Sequence, residues 1–117
     1  MNTQRARRIL RVFYRDYANN LSIASTHPEP LPTDRLVPLA DQLLVAGDNF
    51  LGVIDANDVI LQAYAGEDAS TITLELIYPE ATGCLRLTLS RQQALDCLDR
   101  LPEHFDESLL SGAQYVD

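Results

Sequence analysis

A chain of 117 residues, 46% apolar and 22% charged, has the length of one domain and the composition of a globular one, which excludes a fibrous or largely disordered protein and a two-domain one. Its net charge of −8 is unevenly spread: all nine basic residues are arginine, Arg5, Arg7, Arg8, Arg11 and Arg15 precede the first acid, and the remaining four arginines face all seventeen carboxylates. An acidic body of this kind repels nucleic acid and anionic lipid, so neither is the expected partner.

Residues 3–21 are predicted to form an amphipathic helix, because Ala6, Ile9, Leu10, Phe13, Tyr17 and Leu21 recur at spacings of three and four while Arg7, Arg8, Arg11 and Arg15 fall opposite. Residues 22–33, with Pro28, Pro30 and Pro32, read as an irregular connection. A short second helix is predicted from Pro38 to Ala46, with Leu39, Leu43 and Leu44 inward and Gly47 in the left-handed position after it.

Four strand-like segments follow, at 50–54, 59–65, 71–78 and 84–89, separated by turn-rich stretches short enough for hairpins. They predict a four-stranded antiparallel meander. Ser90 with Gln93 matches a capping box and opens a helix carrying Ala94, Leu95, Leu98 and Leu101 on one face. Pro102 ends it or restarts a final helical turn through Leu110, before a frayed tail. The expected architecture is a single α+β domain over residues 1–117: an N-terminal helix, a proline-rich connection, and a helix-sheet-helix core over residues 34–111, with the C-terminal helices packed on the sheet.

In the simplest hairpin register, Leu51, Val53, Ile60, Tyr64, Ile72, Leu74, Leu76, Tyr78, Leu85, Leu87 and Leu89 form the core face. Phe50, Ile54, Val59, Leu61, Ala63 and Ile77 then lie on the opposite face, beside Thr71, Thr73, Glu75, Arg86 and Thr88. Covering Phe50, Ile54, Val59, Leu61 and Ile77 requires either the first helix folding back or a second copy of the chain, and a homodimer through these five is the expectation.

Candidate chemistry is sparse. Asp55, Asn57 and Asp58 bring three oxygen-bearing side chains into four residues, but the spacing, the glycine and the distal glutamate of a calcium loop are missing, so a hairpin turn is expected there. His27 and His104 lack a second residue at metal-ligand spacing; a Cys97 and His104 pair is weighed against a buried structural thiol and a solvent-facing imidazole, and set aside. Asp96, Asp99, Glu103, Asp106 and Glu107 read as the wet face of the last helices. No nucleophile elbow, phosphate loop or zinc-protease motif occurs, so no catalytic residue, cofactor or metal is expected. Cys84 and Cys97 are too few for a disulfide scaffold and are expected as reduced thiols.

No apolar run approaches the roughly 18 residues of a membrane span, and arginines interrupt any signal-like stretch, so a cytoplasmic protein is expected; arginine without lysine suggests a GC-rich bacterial genome. The outline of helix, antiparallel strands and helix at low isoelectric point resembles small acidic secretion chaperones and immunity proteins in architecture, without a shared motif. The reading is a non-catalytic protein-binding module of adaptor, chaperone-like or immunity type. The alternative is a nucleic-acid or anionic-surface binder acting through Arg7, Arg8, Arg11 and Arg15, and an enzyme with an unfamiliar site comes third.

Overall fold

The structure is a computed structural model that describes residues 8–45 and 48–117. The amphipathic helix expected over residues 3–21 does not form within it. Strand β1 (Ile9–Asp16) occupies that stretch instead, and residues 3–7 lie outside the described part. The apolar residues here fit two periods at once: Leu10, Val12 and Tyr14 also alternate with Arg11, Phe13 and Arg15. Ile, Val, Phe and Tyr suit a pleated surface, and pairing on both edges of β1 decides the outcome.

The connection expected at 22–33 is largely strand as well. Strands β2 (Leu21–Ile23) and β3 (Glu29–Pro32) pair the two halves of one edge of β1, with Asn20 in left-handed geometry in the preceding turn. Proline cannot donate to a ladder, and Pro30 and Pro32 are tolerated because β3 is an edge. A 3-10 turn (Thr33–Arg35) and helix α1 (Leu36–Leu43) then carry the chain across the sheet to β4 (Phe50–Ile54), which pairs the other edge of β1. The left-handed role expected of Gly47 falls outside the described residues.

Strands β5 (Ile60–Ala65), β6 (Thr71–Ile77) and β7 (Cys84–Ser90) continue as an antiparallel meander. Ser90 caps helix α2 (Arg91–Asp99) through the expected box, accepting from the Gln93 amide while the Gln93 side chain accepts from its own. The helical turn expected at 102–110 reduces to a 3-10 turn (Glu107–Leu110), and the expected frayed tail is β8 (Gln114–Val116), paired with Cys84, Leu85 and Arg86. The described residues thus build one eight-stranded antiparallel sheet in the order β2-β1-β4-β5-β6-β7-β8, with β3 beside β2 on β1. This corrects the four-stranded sheet flanked by N- and C-terminal helices.

Both helices pack on the same face, touching each other as well as β4, β6 and β7. Leu36, Ala40 and Leu43 of α1 and Ala94 and Leu98 of α2 bury against Val12, Leu51, Val53, Leu61, Ile72, Leu74 and Leu76, and Leu101, Phe105 and Leu110 close the end. The last carbonyls of a helix lack partners within it. Arg91 supplies them for α1, donating to the carbonyls of Asp41 at 2.8 Å and Leu44 at 2.5 Å and pairing with the Asp41 carboxylate at 3.0 Å. Among the described residues no helix is long and apolar enough to cross a membrane.

The β4–β5 connection sets which side chains join this core. Asp58 stands at φ 65°, and the Asp55 amide donates to the Val59 carbonyl at 3.0 Å, so three residues bulge out and Ile54 pairs with Ile60. The simplest register paired Ile54 with Val59. A slip of one residue reverses every side chain of a strand. Leu61 and Ala63 therefore enter the core, whereas Ile60 and Tyr64, expected there, lie on the other face.

Candidate functional site

Among the described residues no helix covers the other face of the sheet. Ladder register arranges it in rows: Arg11, Ile54, Ile60 and Ile77; Phe13, Gly52, Gln62, Glu75 and Arg86; Arg15, Phe50, Tyr64, Thr73 and Thr88. Phe13 and Ile54 are buried yet stand outside the core cluster, while Phe50, Ile60, Tyr64 and Ile77 are half-buried. Phe13 owes its burial to a glycine: the tip of its ring fills the space over Gly52 that any Cβ would occupy, and the ring meets Phe50 edge-on with centroids 6.3 Å apart.

The centre of the face holds a closed polar network. Glu75 is only 7% exposed, and one carboxylate oxygen accepts from the Tyr64 hydroxyl at 3.0 Å and from Arg86 Nε at 2.8 Å, with a second Arg86 nitrogen at 2.7 Å. Burial, then the bond to Glu75, pushes the Tyr64 phenol above its ordinary value, and Glu75 does the same to the Arg86 guanidinium. Burial raises the Cys84 thiol beside them, as it raises Cys97 on α2, so both sulfurs stay protonated at neutral pH and are weak nucleophiles. Thr73 and Thr88 join across the strands at 2.9 Å. Among the described residues no buried side-chain nitrogen or oxygen lacks a hydrogen-bond partner.

The expected arginine stripe is broken up: Arg11 and Arg15, four apart on β1, keep one face of the sheet, while Arg8 precedes the strand. Arg8 donates to the Leu101 carbonyl below the helices, and Arg7 lies outside the described residues. Arg11 is held at the β4–β5 turn by the Asp55 carbonyl at 2.7 Å and the Asp58 carboxylate at 2.8 Å. Arg15 lies 4.6 Å above the Tyr17 ring and donates to Asn20 at 3.2 Å. Together with Phe13, Tyr17, Ser22, Phe50 and Gln62 it lines a cavity of about 360 Å³ at the β2 corner of the uncovered face.

The five residues expected at an oligomer face part company. Phe50, Ile54 and Ile77 lie on the uncovered face, but Val59 and Leu61 are buried with the core because of the bulge at Asp58. Ile60 and Tyr64 take their places. The signal was present in Asp55-Ala56-Asn57-Asp58, since Asp and Asn adopt left-handed geometry more readily than other side chains.

The other candidates take structural roles. Asp55, 2% exposed, accepts from the amides of Asn57, Val59 and Phe105, which ties the hairpin turn to the segment after α2. His27 bonds to its neighbour Thr26, and His104 reaches Asn57 at 3.2 Å and Glu103 at 3.7 Å. Asp96 bonds to Gln92, and Asp106 caps the last 3-10 turn through Ser108. Among the described residues no three His, Cys, Asp or Glu side chains converge as a metal site. No family model, no curated protein and no solved structure matches the chain.

Proposed function

We propose that the protein is a non-catalytic protein-binding module of adaptor, chaperone-like or immunity type, acting in the cytoplasm, and that it docks its partner on the uncovered sheet face. The observation that carries this reading is the one-sided fold: both helices cover one face of the sheet, while Phe50, Ile60, Tyr64 and Ile77 stay half-buried on the other. Partly exposed apolar and aromatic side chains on either side of a polar network give a partner both apolar area to bury and hydrogen-bonding groups to meet. Arg11 and Arg15 share the uncovered face, with Arg11 paired to Asp58, while Arg8 bonds to the Leu101 carbonyl; this arrangement favours the protein-binding reading over the nucleic-acid alternative, which rested on a continuous stripe of four arginines.

Comparative capture from the native host tests the proposal. Proteins retained by the wild type are expected to be lost with Ile60→Glu and kept with Asp96→Asn on the helix layer. Loss with the helix-layer substitution, or retention with Ile60→Glu, refutes it. The homodimer expected from the sequence uses the same surface twice, and light scattering on the same preparations reports its mass.

A further inference from the structure

The strand residues facing away from the helices include three arginines, Arg11, Arg15 and Arg86, and one acid, Glu75, although the chain as a whole is strongly acidic. Two of these arginines are already neutralised, Arg11 by Asp58 and Arg86 by Glu75. Arg15 is different. Among the described residues its partners are the neutral Asn20 amide and the Tyr17 ring, and no carboxylate faces it. It also borders the 360 Å³ cavity whose apolar walls come from Phe13, Tyr17 and Phe50, with Gln62 and Ser22 as polar groups.

A concave apolar pocket with a few convergent polar groups is where a binding surface concentrates its affinity, and aromatic and arginine anchors dominate such hot spots. We propose that this corner is the anchor subsite of the docking face, and that it takes an acidic and aromatic segment of a partner protein: one ring against the half-buried Phe50, and an adjacent carboxylate on Arg15. This rests on the protein-binding reading above. Charge complementarity selects the occupant: an uncompensated guanidinium beside apolar walls accepts a carboxylate and rejects a cation. Single-stranded nucleic acid fits less well, because stacking successive bases needs several open ring faces and the corner leaves only that of Phe50. The Phe13 ring is buried over Gly52, Tyr17 already carries Arg15, and the acidic body repels a polyanion. A partner's short acidic segment meets only the corner.

The test is an amide NMR titration of the full chain with three probes: acetyl-Asp-Phe-Asp-amide, its Lys-Phe-Lys counterpart, and a deoxythymidine oligonucleotide. The acidic peptide is expected to produce saturable shifts at Phe13, Arg15, Ser22 and Phe50 in roughly the millimolar range, and the lysine peptide none. Arg15→Gln should weaken binding by about fivefold or more while Arg15→Lys recovers most of it, with both spectra remaining dispersed. The absence of saturable shifts, equal binding of the lysine peptide, unchanged affinity in Arg15→Gln, or preference for the oligonucleotide overturns the proposal. Failure here, combined with partner capture that still depends on Ile60, removes the anchor and leaves the docking face; loss of both removes the protein-binding reading itself.

Discussion

Several single side chains hold this fold together by serving two elements at once, and their chemistry sets measurable costs. Asp55 is the clearest. Its carboxylate is shared between two amides of its own turn and the Phe105 amide fifty residues on. Asp55→Ala strands the buried amides of Val59 and Phe105, each at about 1–3 kcal/mol. Chemical denaturation should show that loss, with added hydrogen exchange at Phe105; a variant as stable as wild type contradicts the role. Asn49 works in the same way, accepting from the Tyr17 amide while donating to the Leu43 carbonyl and to Asp16, so it pins the end of α1 to the first hairpin.

Carboxylates in turns also give the stability a pH dependence of predictable sign. Hydrogen bonds from Asn19 hold Asp16 below the ordinary carboxylate range, and bonds from Ser70 and Ser108 do the same to Asp68 and Asp106. A depressed folded-state pKa contributes stability that is present above the unfolded value, near pH 4, and is lost as pH falls through the folded value. Melting temperature should therefore be flat between about pH 5 and 7 and decline below about pH 4, less steeply in an Asp68→Asn variant. A decline that begins near pH 6 contradicts this assignment.

At the scale of elements, the strand register decides which substitutions reach the core. Leu61 is fully buried, whereas Phe50 is half-buried on the uncovered face. Leu61→Ala should cost about 2–5 kcal/mol, and Leu61→Glu should abolish cooperative folding. Phe50→Ser should leave a folded protein. Circular dichroism and thermal melts separate the two, and a folded Leu61→Glu variant would require the alternative register. The sequence made this choice hard to see, because Val59-Ile60-Leu61 is apolar at three successive positions and supports either alternation. The left-handed residues Asp58 and Ala69, in the turns on either side of the strand, break the tie. The N-terminal strand was hidden for a related reason: its apolar residues satisfy a helical period and an alternating one, and long-range pairing with β3 and β4 selects the second.

For the molecule as a whole, elements defined by local chemistry were legible and those defined by distant pairing were not. The Ser90 capping box, the turn at Asp55–Asp58 and the four central strands rest on residues close in sequence. Strand β8 and the edge pair β2 and β3 have short, proline-bearing or weakly apolar sequences that acquire structure only from their neighbours. The candidate site follows the same division. Phe50, Ile54 and Ile77 were assigned to the uncovered face, but the Arg15 corner was not visible, since it needs residues 13 to 25, 50 and 62 brought together across four strands.

Docking of a partner protein on the sheet face opposite the helices is open to a direct test by site-specific photo-crosslinking in the native host. A benzophenone side chain placed at Ile60 reports the uncovered face, and one placed at Asp96 reports the helix layer. A discrete higher-mass adduct is expected from position 60 and not from position 96. An adduct from position 96 alone, or none from position 60 in a folded protein, contradicts it.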